Sequence, residues 1–383
     1  MDKSISKIIE AVRKDGDSAV SFFAKKFDGV NLKPGDFRVS AAEIRRASKK
    51  VEPGLLAAIK RAKGNVASFQ KKIFPKTVSF RSAGAVIEHK FTPVESAGIY
   101  VPGGNYPYPS TVIMTAVPAR SAGVKRIVMV TPPKNLTSAV LAAADICGVT
   151  EIYRVGGAYA IAALAYGTET IPRVDKIAGP GNFYVTEAKR QVSGDVGIDM
   201  LAGPSEVLII ADDTAVPEFV LADLLAQCEH DVRARAVLVS MSAKLSGYCL
   251  EKTARLKKQV KIIDVKSMEQ AAAAANDIAP EHLLIIARQP GELVKKIKNA
   301  GAVFVGNYTP VAAGDYLAGP SHVLPTGGTA RYSSGLSVYS FLKSSAVIRY
   351  DRRTLKKNAS DIIKIAESEG LLRHADSVRA RIK

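Results

Sequence analysis

Gly98-Ile-Tyr-Val101 runs directly into Pro102-Gly-Gly-Asn105, and the same pattern returns three times: Lys125-Arg-Ile-Val-Met-Val130 into Thr131-Pro-Pro133, Glu151-Ile-Tyr-Arg-Val155 into Gly156-Gly157, and Val174-Asp-Lys-Ile177 into Ala178-Gly-Pro-Gly-Asn182. Short apolar runs closed by glycine or proline loops and separated by alanine-rich helical stretches predict parallel strands buried on both faces. Ala122-Gly-Val-Lys-Arg-Ile127 and Ile146-Cys-Gly-Val-Thr-Glu-Ile152 echo each other, a local repeat of a βα unit. Such alternation specifies an α/β fold, a mostly parallel sheet covered by helices on both faces. Working outward, Val207-Leu-Ile-Ile210, Ala236-Val-Leu-Val239, Leu283-Leu-Ile-Ile286 and Ala302-Val-Phe-Val305 predict the strands of a second α/β lobe.

Residues 4–26 carry apolar positions at helical spacing, Ile5, Ile8, Ile9 and Val12, then Ala19, Phe22 and Phe23, interrupted at Lys14-Asp-Gly16, so two helices are expected. Ser40-Ala-Ala-Glu43 is a capping box that opens another helix, continuing past Pro53 to about Lys72. Residues 78–92 alternate as a strand does, and glycine and proline thicken from Pro310 to Gly335, a long loop region of the kind that carries function. The tail from Arg352 to Lys383 reads as helix.

Composition narrows the class. With 383 residues, 47% hydrophobic and 23% charged, the chain has material for more than one core and is ordinary globular protein. It has no apolar run of membrane-spanning length and no signal-peptide core, so a cytoplasmic location is expected. Cys147, Cys228 and Cys249 are odd in number and without CxxC spacing, which argues against a disulfide framework and against a thiolate zinc site. The formal charge of +18 could mean a nucleic-acid partner, but the basic residues are scattered through helices without aromatic interleaving. They read as a solvated basic surface.

The chemistry gathers around Asp223-Leu-Leu-Ala-Gln-Cys-Glu-His230. In a helix Asp223, Gln227 and His230 share one face, placing an amide oxygen, an imidazole and a supporting carboxylate together at a metal-ligand spacing. His282 follows Glu281 at a strand start, where acid and imidazole can both face a cleft. Asp315 lies seven residues before His322, and Glu369 five before His374. Each pair alone reads equally well as a solvated turn or a frayed helix end. Four of five histidines beside Gln, Glu or Asp point to one site. There is no Gly-x-Gly-x-x-Gly and no Walker loop. Gly179-Pro-Gly-Asn182 could cradle a pyrophosphate at a helix N-terminus or be a tight strand-to-helix turn.

Taken together, these blocks resemble the histidinol dehydrogenase family over nearly the whole chain, most specifically in Gly98 to Gly104, Val155-Gly-Gly-Ala158, Asp175 to Asn182, Ala202-Gly-Pro-Ser-Glu-Val207, Asp223 to His230, Pro280-Glu-His-Leu283, Ala313-Gly-Asp-Tyr316 and Ser321 to Thr326. The resemblance implies two similar incomplete Rossmann-like lobes with mostly parallel sheets plus a small helical C-terminal segment. It divides the chain into a discontinuous first lobe, 1–100 with 209–350, an NAD-binding lobe, 101–208, and a segment, 351–383, swapped between the subunits of a homodimer. It implies Zn2+ on Gln227, His230, Asp315 and His374, the last from the partner. Ser205, Gln227, His230, His282, Asp315, His322, Glu369 and His374 would contact L-histidinol, with Glu281 and His282 as the catalytic acid/base pair. Tyr100 and Asn182 would bind NAD, and Tyr159 stands in that cofactor set where a glutamine is usual. The reaction implied is oxidation of L-histidinol through the aldehyde to L-histidine with two NAD, no nucleic acid or membrane taking part. A relative acting on another small alcohol, such as a sulfonated diol, is the alternative. Set against the family pattern, the resemblance also implies that an N-terminal segment many members have is missing and that the stretch between Ser240 and Ile263 is shorter than usual.

Overall fold

The computed structural model describes residues 3–103 and 106–383, so Gly104 and Asn105 of the first glycine loop lie outside the described residues. In chain order the elements are α1 (Lys3–Phe23), α2 (Ala41–Ser48), α3 (Pro53–Lys72), β1 (Val78–Ser82), β2 (Ala85–Pro93), β3 (Ser96–Tyr100), α4 (Pro109–Ala122), β4 (Arg126–Val130), α5 (Ser138–Ile146), β5 (Glu151–Tyr153), α6 (Gly157–Tyr166), β6 (Lys176–Ala178), α7 (Phe183–Val192) and β7 (Gly197–Ile198). There follow β8 (Glu206–Ala211), α8 (Pro217–Cys228), β9 (Arg235–Ser240), α9 (Ala243–Lys252), β10 (Val260–Asp264), α10 (Met268–Ile278), β11 (His282–Ile286), α11 (Pro290–Lys296), β12 (Ala302–Val305), α12 (Val311–Tyr316), β13 (Leu342–Arg349), α13 (Arg352–Ser368) and α14 (Leu372–Ile382).

The chain forms two compact units, residues 1–73 with 94–341 and residues 74–93 with 342–383. The first contains two five-stranded parallel sheets, ordered β5-β4-β3-β6-β7 and β10-β9-β8-β11-β12. Counted within each sheet, both orders are 3-2-1-4-5, the doubly wound dinucleotide-fold order without its last strand. The two incomplete Rossmann-like lobes expected from the sequence are therefore present. Their central strands are almost wholly buried, Ile99, Val128, Leu208 and Ile285 among them, because helices cover both faces, while the edge strands β7, β10 and β12 stay partly exposed. One core packs α1, α6 and α7 around Ile5, Val20, Tyr159 and Leu164, and two others clothe the faces of the second sheet around Leu224 and Ala271.

Ser40 accepts the amide of Glu43 at 3.2 Å, one half of the expected capping box, while the Glu43 carboxylate accepts from Arg154 at 2.7 Å; α1 bends at Gly16, whose φ of 52° is not helical. The second unit contains the antiparallel sheet β1-β2-β13 and the hairpin of α13 and α14. Here the structure departs from the sequence reading. Residues 78–92 form a hairpin, not one strand, because the chain reverses at Ala83 and Gly84, both at positive φ. An alanine is a poor turn signal, so alternation ran through it. The expected loop from Pro310 to Gly335 contains α12, which lacks a side-chain cap within its own sequence. No helix among the described residues is long and apolar enough to cross a membrane.

Candidate active site

Four elements of the first unit carry the site. The end of α8 brings Gln227 and, just beyond it, His230; the starts of β8 and β11 bring Glu206, Glu281 and His282; α12 brings Asp315; the loop after it brings His322. α8 and α12 are tied together by Asp223, whose carboxylate accepts the amide of Val311, the first residue of α12. The supporting carboxylate of the helical triplet thus supplies the cap that α12 lacks.

His282 lies at the centre, 5% exposed. Its Nδ1 is 3.3 Å from the carbonyl oxygen of Glu206, which makes Nδ1 the donor, and 3.7 Å from Glu281 Oε2. Its Nε2 stands 3.4 Å from Asp315 Oδ1 without hydrogen-bond alignment and has no other partner among the described residues. Burial works against an imidazolium here, but the carboxylates of Glu281 and Asp315 outweigh it and push the imidazole up to about 9. Glu281 is buried too; its carboxyl is pushed up to about 7 by burial, against the pull of His282 and of the Glu206 amide, which donates to Oε2 at 2.9 Å. Asp315 is drawn below the usual carboxylate range: burial opposes this, and His282, His322 and His230 overcome it.

His322 donates from Nδ1 to the carbonyl of Asp315 at 3.0 Å, and its Nε2 faces the hydroxyl of Thr111 at 3.3 Å. That fixes the neutral tautomer, and burial lowers its pKa. Gln227 is 4% exposed and its Nε2 has no hydrogen-bond partner among the described residues. Since amide nitrogen and oxygen are assigned from surroundings, this is a buried amide end awaiting a partner. Ser205 is part-buried at the start of β8, and a cavity of about 670 Å³ lined by Ile59, Tyr108 and Ile113 reaches the site at His230.

An amide, an imidazole and a carboxylate suit a first-row divalent ion such as zinc. Among the described residues no three His, Cys, Asp or Glu side chains gather as a metal-holding group, since Gln227 is not of those types and His374 belongs to the second unit. There His374 is the third residue of α14 and Glu369 caps α13, both exposed.

The expected NAD residues lie in the lobe of the first sheet, on β3, α6 and the start of α7. Tyr100 ends β3, 3% exposed, and its hydroxyl accepts the amide of Gly157 at 3.1 Å. Tyr159 points into the core at 1% exposure, donates its hydroxyl to Asp28 and stacks near Phe23. Asn182 is exposed and caps α7, accepting the amide of Val185 at 3.2 Å. Sequence reasoning gave no role to Glu206 and Thr111, which bond the two central imidazoles from the main chain and a side chain. Nothing in their local patterns signals it.

A family model described as histidinol dehydrogenase matches residues 1–382. The chain belongs to the histidinol dehydrogenase family. It is 49% identical to the histidinol dehydrogenase of Thermosynechococcus vestitus, covering 99% of this chain and 92% of that one, and 47% identical to that of Carboxydothermus hydrogenoformans, covering 100% and 94%. The crystal structure of histidinol dehydrogenase from Elizabethkingia anophelis superposes with a TM-score of 0.94 at 38% identity, over 99% of this chain and 91% of that chain. An acetylating aldehyde dehydrogenase from Geobacillus thermoglucosidasius, at 14% identity and TM-score 0.51, shares the architecture alone. As a histidinol dehydrogenase the chain is an oxidoreductase of histidine biosynthesis acting on a small molecule.

Proposed function

We propose that this protein oxidises L-histidinol through L-histidinal to L-histidine with two NAD, in a zinc-dependent reaction at one site. The observation that carries the reading is the buried cluster of Glu281, His282 and Asp315, with His282 Nε2 unpartnered and aimed at the carboxylate. Gln227, His230 and Asp315 would hold the metal with His374 of the partner subunit in a domain-swapped homodimer. Bound there, zinc would supply Lewis acidity and a fixed anchor for the substrate nitrogens, while NAD would accept the hydrides.

The chain's own groups handle the protons. Either His282 or His322 takes the alcohol proton: His322 is the imidazole held neutral, whereas His282 must first give up the proton that Glu281 and Asp315 hold on it. Glu281, a carboxyl held near neutrality, then removes a proton from the water that hydrates the aldehyde. Burial of this cluster keeps bulk water from the aldehyde between the two oxidations. Ser205, His322 and Glu369 complete the substrate shell.

NAD would lie on the lobe expected over residues 101–208, beside Tyr100 and Asn182. The reading is supported by the strand order: β3 and β6 are neighbours where the connections diverge, and ligands of such sheets bind at that point beyond the strand ends. Tyr159 would serve this lobe from its core, not through an exposed contact. The three free cysteines accord with a reducing, cytoplasmic setting. NADH formed per L-histidinol consumed, measured with zinc and after chelation, tests the whole. Two NADH per substrate, abolished by chelator and restored by zinc, are expected; turnover unaffected by complete zinc removal would refute the metal's role.

A further inference from the structure

Lys189 and Asp199 form an ion pair whose side chains are 2% and 0% exposed, away from the cluster described above. Burying two charges is repaid only when further hydrogen bonds satisfy them, so what the pair holds is informative. Both ends grip one residue. The amide of Gly179 donates to Asp199 Oδ2 at 2.7 Å, and the carbonyl of Gly179 accepts from Lys189 Nζ at 3.0 Å. Asp199 Oδ1 takes the lysine ammonium and the amide of Met200. Gly179 also abuts β3: a Cβ there would stand 2.2 Å from the carbonyl oxygen of Tyr100, and its φ is +119°. Its backbone is therefore fixed from two sides, by a strand and by a buried charge on each of its polar groups.

This glycine opens the turn Gly179-Pro-Gly-Asn182 between β6 and α7, at the end of the strand that neighbours β3. Three residues on, Asn182 is exposed and caps α7. We propose that Lys189 and Asp199 are positioning residues for the dinucleotide, orienting the Gly179 backbone so that the turn presents Asn182 to NAD without touching it themselves. The proposal rests on the NAD-binding role proposed for Asn182. It accounts for a charged pair where an apolar one would pack: an apolar pair cannot hold both the N–H and the C=O of the same residue.

The test uses the full-length, zinc-loaded enzyme and the variants Lys189→Met, Asp199→Asn, their combination, and Asn182→Ala as reference. The readouts are calorimetric NAD affinity, KM for NAD, KM for L-histidinol and kcat. Lys189→Met should weaken NAD binding and raise its KM about tenfold, as expected on losing a charge-assisted hydrogen bond, with kcat and the histidinol KM moving less than about twofold. Because both members hold one glycine, the double variant should be little worse than the single ones. Unchanged NAD affinity in Lys189→Met, beside a loss in Asn182→Ala, overturns the proposal alone. Unchanged affinity in Asn182→Ala overturns the NAD reading and the proposal with it. A parallel rise in both KM values with a lowered melting temperature marks a packing role and also overturns it. If Lys189→Met does not fold, Asp199→Asn, which keeps the volume and an acceptor for Gly179, carries the same expectation.

Discussion

His282 concentrates the chemistry because its two nitrogens are treated differently: Nδ1 is spent on the Glu206 carbonyl, and Nε2 is left among acids. Its imidazole is raised to about 9 in the folded protein, so it stabilises the metal-free fold fully below its unfolded value of 6.5 and ceases to do so as pH rises through about 9. Glu281, raised to about 7, loses its contribution earlier, between 4.5 and about 7. The urea midpoint of the chelated protein should therefore fall from pH 5 upward, and its decline above about pH 7.5 should be flattened by His282→Gln. An equal slope in that variant would show that the imidazole is not the group titrating. Glu281, His282, Asp315 and His322 were legible in the sequence only together, since each acid–imidazole pair alone reads equally well as a solvated turn and their recurrence along one chain is what points to a common site. Their partners were not: Glu206 acts through its carbonyl and amide, groups every residue has. Tyr159 was legible only as a departure, and its bond to Asp28 spans 131 positions that no local pattern links.

At the scale of elements, strands read well where burial is two-sided. The runs in β3, β4, β8, β9, β11 and β12 stand out because their apolar stretches are unbroken, whereas β10 carries Lys261 within it and has no such run. β13 and the β1-β2 hairpin, exposed over much of their length, carry no such mark. The placement of the site is a further surprise. In the second lobe Glu206, Glu281 and His282 cluster at the starts of β8 and β11, whereas doubly wound sheets generally bind at the strand ends. The lobe instead serves as a rigid edge against which α8 and α12 bring the metal-type residues. α12 is only Val311–Tyr316 and takes its N-terminal cap from Asp223 on another helix. Asp223→Ala should therefore leave a buried amide unpaired, lower stability by about 1–3 kcal/mol and speed the loss of zinc to a chelator, since Asp315 rides on α12. Wild-type zinc retention in this variant would show that α12 holds its position without the tie.

For the molecule as a whole, the +18 charge finds no place in the chemistry and fits a solvated surface, with its basic residues on exposed helical faces such as Arg45, Arg46 and Lys252. Assembly is the property the proposed zinc set would require. The first unit supplies an amide, one imidazole and one carboxylate of the proposed zinc set, and the remaining imidazole, His374, is exposed on the second unit. In the proposed swapped homodimer each site would take three ligands from one subunit and the fourth from its partner. His230→Ala and His374→Ala should each abolish zinc binding and activity when alone. Unfolded together and refolded as a mixture, they should recover about a quarter of wild-type activity, because half the dimers are mixed and each mixed dimer has one site free of both substitutions. Zinc content should recover in the same proportion. A mixture that stays inactive, although chromatography shows mixed dimers, would place all four ligands on one chain.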